Sequence, residues 1–70
     1  MPIIQFPKRR GRNKIKQLRR ELRLRQLDLA RKLNIYQSEV SQIERGERLP
    51  NVVLAKRIAK ALRRSVEEVF

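Results

Sequence analysis

Apolar residues recur three, four and seven positions apart along this chain, in stretches separated by turn signals. Ile15, Leu18 and Leu22 form the first stripe and predict a helix over 13–24, with Asn13 as its N-cap. Leu29, Ala30 and Leu33 share one face of a second helix, which opens at Gln26 with hardly any connection after Arg25. Asn34 stands where the chain must then turn sharply, and Asn is among the few non-glycine residues that tolerate a positive φ. Ile35 follows as an apolar plug, and a third helix repeats the pattern with Val40 and Ile43 before ending at Arg45-Gly46, a basic last turn with a glycine C-cap. In the next loop Leu49 is the expected anchor, and Pro50 stops any helix before it. Val52, Ala55, Ala59 and Leu62, widened by Ile58, give a fourth stripe behind an Asn51 cap. Ser65-Val66-Glu67-Glu68 reads as a capping box opening a last short helix, which finishes on Val69 and Phe70. The expectation is an all-α fold of five helices, with the second and third joined as a helix-turn-helix.

The third helix is informative for what it leaves outside. With Val40 and Ile43 inward, Gln37, Ser38, Ser41 and Gln42 share the opposite face. An exposed helix is ordinarily filled with Lys, Glu and Arg. Uncharged amides and hydroxyls instead suit base edges, where Gln makes two-pronged contacts and Ser either donates or accepts. Four residues on a merely polar surface would look the same, and composition decides between the two. The chain has 19 Lys plus Arg against 7 Asp plus Glu in 70 residues, a formal charge of +12. Such a charge repels itself unless a polyanion is near, and nucleic acid is the first counter-charge to consider, with an anionic membrane surface as competitor.

Other classes recede on composition. There is no Cys for a disulfide or thiolate metal site and no His for a general base, so neither an enzyme nor a metal or cofactor site is expected. No apolar run approaches the ~20 residues of a spanning helix, and the opening residues lack a signal-peptide core. Several short capped helices with few aromatics also differ from one long amphipathic membrane helix. A cytoplasmic, nucleoid-associated protein is expected.

Residues 1–12 form a separate unit in this reading, a flexible basic arm before the domain of 13–70. Pro2, Pro7 and Gly11 bar regular helix, while Lys8, Arg9, Arg10 and Arg12 suit phosphates or a narrow minor groove. A tail supplying only diffuse charge fits them equally. Ile3, Ile4 and Phe6 call for a cover such as a second subunit. Within the domain, Glu44 ends the third helix, a poor place for an acid beside a helix C-terminus. Its stem borders the core, and Arg19, at the edge of the first stripe, is its natural partner.

From Ile15 onward the chain resembles the lambda repressor/Cro-type, or Xre-like, helix-turn-helix family. The resemblance lies in L-R-R-E-L, then Q-L-D-L-A-R-K-L-N-I, then S-E-V-S-Q-I-E-R-G, then L-P-N, and finally A-K-A-L-R-R-S-V-E-E-V-F. It implies a compact five-helix domain that binds double-stranded operator DNA, usually as a two-fold dimer on a pseudo-palindrome. Family base-contacting positions fall on Gln37, Ser38 and Gln42, with Ser41 adjacent, and phosphate-contacting positions on Gln26, Arg45 and neighbours such as Arg25. The family's buried arginine–glutamate pair falls on Arg19 and Glu44. There are departures: Asn34 replaces the usual turn glycine, and Arg25 and Tyr36 stand where Ser or Thr normally caps the second and third helices. Tyr36 is then free to lie on the sugar-phosphate backbone or a thymine methyl, or to cover the turn, and Arg48 in the following loop joins the candidate phosphate contacts. Glu39 on the same side needs a cytosine amine or a nearby Arg to be tolerated.

The leading expectation is a sequence-specific DNA-binding transcriptional regulator of the repressor kind, with polymerase as a possible neighbour. The alternative is an antitoxin that also binds a toxin through the arm or the last helix. Val66, Val69 and Phe70 are the expected contacts between subunits, with Phe70 folding back onto the core as the competing placement.

Overall fold

The computed structural model describes residues 13–70. The basic arm Lys8, Arg9, Arg10 and Arg12, and the apolar Ile3, Ile4 and Phe6, lie outside the described residues. Five helices follow one another: α1 Ile15–Glu21, α2 Gln26–Leu33, α3 Gln37–Glu44, α4 Val52–Ala61 and α5 Val66–Val69. No strand occurs among the described residues.

One apolar core serves all five. Ile15 and Leu18 of α1, Leu29, Ala30 and Leu33 of α2, and Val40 and Ile43 of α3 meet Ile58 and Ala59 of α4, with Leu62 and Val69 completing the cluster. Each large aliphatic side chain sealed in this way contributes roughly 1.5–3 kcal/mol. A domain of this size has few such groups, so each counts. The two ends of the fold close on each other where the Lys14 N–H donates to the Val69 carbonyl at 2.9 Å. Asn13 adds a second tie. Its Nδ2 donates to the Ile43 carbonyl at 2.8 Å while its Oδ1 accepts from the Ile15 N–H, so the start of α1 is pinned to the end of α3.

Four helices stop in the same way. A residue with positive φ follows each of α1 to α4: Arg23 at 58°, Asn34 at 58°, Gly46 at 75° and Arg63 at 61°. The next residue returns its N–H to the carbonyl five positions back, Leu24 to Arg19, Ile35 to Ala30, Glu47 to Gln42 and Arg64 to Ala59, at 2.8–3.0 Å. This is the Schellman arrangement, which satisfies carbonyls that a helix end leaves without donors. Asn34 therefore makes the expected turn. Arg23 and Arg63 do the same with a Cβ in the way.

The structure corrects four readings of the sequence. The first helix spans Ile15–Glu21 instead of 13–24: Lys14 and not Asn13 is its N-cap, and Arg23 takes the left-handed conformation after its end. Leu49 does not anchor its loop: it is 59% exposed, and Pro50 is the buried residue there. Val52 is half exposed and leaves the fourth stripe to Ala55, Ile58, Ala59 and Leu62. Val69 is 1% exposed, inside the core, so it has no surface to offer a second subunit. Val66 and Phe70 are partly buried against that core.

Candidate nucleic-acid interface

Three residues, Asn34, Ile35 and Tyr36, connect α2 to α3 and set the two helices as a helix-turn-helix. Neither helix has an N-cap side chain that accepts a backbone N–H of its first turn. The acid three residues in does the work from the other direction. Asp28 Oδ2 accepts the Arg25 N–H at 2.8 Å, and Glu39 Oε1 accepts the Tyr36 N–H at 3.2 Å. Both are the returning half of a capping box, and both place a carboxylate on the positive end of a helix. An acid at the third position of each helix was the available sequence signal. It also accounts for Glu39 beside a surface that otherwise favours anions.

The α3 face is built as follows. Val40 and Ile43 are buried, Gln37 and Ser38 are exposed, and Ser41 and Gln42 are half-buried. Tyr36 at the start of the helix is 77% exposed. Charged side chains border these four polar residues and bond two of them. Arg45 at the helix end donates from Nη1 to Ser41 Oγ and holds both oxygens of Glu47, at 2.7 and 3.0 Å. Arg48 leans back over the helix, its Nε on Gln42 Oε1 at 3.1 Å and its Nη1 on Glu39 Oε2 at 3.5 Å. Arg25, at the start of α2, is exposed and forks onto Asp28 at 2.9 and 3.0 Å. The Arg25 hydrogen bonds hold the Asp28 carboxyl down at about 2, and the Arg45 hydrogen bond lowers Glu47 from its ordinary value. Each of the three guanidiniums at this rim is thus seated on an acid of the same surface.

Beneath the face lies a buried pair. Arg19 reaches from α1 to Glu44 at the end of α3 with Nε on Oε2 at 2.6 Å and Nη2 on Oε1 at 3.2 Å, and its Nη1 takes the Leu24 carbonyl at 2.9 Å. The two residues are 7% and 8% exposed. Gln26 continues the network outward, its Nε2 donating to Glu44 Oε1 at 3.0 Å and its Oε1 facing Gln37 Nε2 at 3.4 Å. A carboxylate only accepts, so Glu44 decides which way the Gln26 amide faces, and Gln26 in turn faces the amide of Gln37. Gln26 is accordingly half-buried and bonded on both its polar side-chain atoms. Asp28, Glu39 and Glu47 are members of this surface that periodicity does not single out. Among the described residues, no group of three His, Cys, Asp or Glu could hold a metal ion.

Comparison with known proteins gives a consistent answer. A helix-turn-helix family model matches residues 15–69. An uncharacterized HTH-type transcriptional regulator of Methanothermobacter thermautotrophicus is 37% identical over 57 residues, covering 80% of this chain and 83% of that protein. One from Bacillus subtilis is 34% identical over 58 residues, covering 83% of this chain and 88% of its own length. The crystal structure of the restriction-modification controller protein C.AhdI from Aeromonas hydrophila superposes with a TM-score of 0.75 at 32% identity. It covers 81% of this chain and 86% of that one.

Proposed function

This chain belongs to the helix-turn-helix family, and from that premise we propose that it is a sequence-specific DNA-binding transcriptional regulator whose α3 enters the major groove. The observation that carries the reading is the face of Gln37, Ser38, Ser41 and Gln42, bordered by Arg45 on Ser41 and Arg48 on Gln42, on a chain of net charge +12. Amides and hydroxyls discriminate base edges, whereas contacts from rim guanidiniums to phosphates fix register and carry no sequence information of their own. Tyr36, exposed at the helix start, lies against the sugar-phosphate backbone in the same docking.

One such helix specifies few base pairs. Two copies on a pseudo-palindromic site double the readout, with their recognition helices ~34–36 Å apart. Val66 and Phe70 are the candidate contacts that remain at the C-terminal end. Occupation of an operator by such a pair represses by excluding polymerase, in the cytoplasm at the nucleoid. The antitoxin reading places a toxin on the arm or the last helix, and the arm's Ile3, Ile4 and Phe6 lie outside the described residues. Selection of bound duplexes from a random pool tests the proposal: an enriched two-fold motif supports it, and a pool that returns unchanged refutes it.

A further inference from the structure

Arg48 and Gln42 are six residues apart and do not share a helix, yet their side chains meet beside α3. Arg48 is held there from a second side. Its Nη1 lies on Glu39 Oε2, and the other Glu39 oxygen is fixed by the Tyr36 backbone N–H that it caps. The chain of contacts therefore runs from the first turn of α3 through a carboxylate and a guanidinium to one specific amide.

The chemistry of that chain has a direction. A guanidinium has five N–H donors and no acceptor, so only the oxygen of the Gln42 amide can face it. With its oxygen taken by Arg48, Gln42 has its NH2 group left as the donor for another partner. A glutamine that reads adenine must instead present oxygen and nitrogen side by side, to N6 and N7. Guanine is the base whose major-groove edge offers two adjacent acceptors, O6 and N7.

Resting on the reading of α3 as the recognition helix, we propose that Arg48 is a positioning residue that sets the polarity of the Gln42 amide, so that Gln42 selects guanine over adenine. Glu39 supports it by holding the guanidinium in place. Arg48 thus acts on specificity through Gln42 while making no base contact itself, which separates it from a residue that only neutralises phosphate.

The test is random-pool selection of duplex DNA by the full chain and four variants. Gln42→Ala identifies the base pair that Gln42 reads, as the position where preference is lost. The wild-type protein is expected to prefer guanine there by roughly 5- to 150-fold over adenine. Arg48→Met keeps the stem but removes the donors, and is expected to admit adenine at that position alone. Arg48→Lys retains a donor and is expected to keep guanine, while Glu39→Gln weakens the preference without moving it elsewhere. Adenine preferred by the wild type overturns the proposal, as does an Arg48→Met profile identical to wild type at weaker affinity. If Gln42→Ala alters no position within an enriched motif, the assignment of Gln42 fails while the regulator reading stands. A pool with no enriched motif removes both.

Discussion

Arg19 in the first helix and Glu44 at the end of the recognition helix meet Nε to Oε2 at 2.6 Å, with both residues more than nine-tenths buried. The contact spans 25 residues of sequence and fastens α1 to the helix that carries the candidate base-reading side chains. Two opposed charges in a dry site add little net stability as a pair, but removing one strands the other. Arg19→Met or Glu44→Leu alone is expected to cost ~3–5 kcal/mol, and the double substitution is expected to recover much of that. Thermal melts of the three variants decide the matter, since additive single effects contradict a coupled pair.

Arg23 and Arg63 each hold a left-handed conformation that glycine adopts without strain. Arg23→Gly and Arg63→Gly are therefore each expected to stabilise the fold by about 1 kcal/mol, the order of the penalty for a non-glycine residue there. The gain is a rise in melting temperature with no change in the denaturant slope. A lower melting temperature contradicts the Schellman assignment at that helix end.

Asp28 titrates in the folded protein at about 2, below its ordinary value of 3.8, because the Arg25 side chain and backbone N–H both bond its charged form. The folded value is the lower one, so the unfolded chain binds the extra proton between about pH 4 and pH 2. Stability from this group is fully present above that window and is lost as pH falls through it. Asp28→Asn is expected to flatten the acid limb of stability against pH in that interval and leave neutral pH-dependence unchanged. An identical acid limb in the variant contradicts the cap.

Arg45 is committed to Glu47 in the protein alone, with the Glu47 carboxyl lowered from its ordinary value by that hydrogen bond. Contact with a phosphate requires exchanging one anion for another. Glu47→Gln removes the competitor, so tighter binding to every DNA sequence at low salt is expected, with a difference that fades as salt rises. Gel-shift titrations on unrelated duplexes read this directly, and unchanged affinity contradicts the exchange.

The helical stripes, the Asn34 turn, the glycine after α3 and the Ser65 capping box are legible in the sequence because each is a short-range rule acting within one turn of helix. The ends of α1 and α4 are less so, since Arg23 and Arg63 give no left-handed signal of their own. Leu49 and Pro50 exchanged roles because burial in a loop depends on where the chain passes over the core, which periodicity does not encode. The same holds for Val69, whose place inside the core follows from the backbone bond between Lys14 and Val69. The contacts of Arg48 with Gln42 and Glu39 join a loop to a helix and have no period at all. Glu44, by contrast, was conspicuous as an acid at a helix C-terminus beside the core, and that misfit pointed to Arg19.

The proposed division of labour is that α3 reads bases while its arginine rim holds phosphates. It is tested most directly by titrating the protein, Gln37→Ala and Arg45→Ala against a selected duplex and its single-base variants at several salt concentrations. Gln37→Ala is expected to lose ~1–3 kcal/mol of discrimination at one base pair and keep its salt slope. Arg45→Ala is expected to weaken all sequences alike and make the slope shallower by about one unit. A Gln37→Ala protein with base preference intact at every position contradicts the assignment of the recognition face to α3.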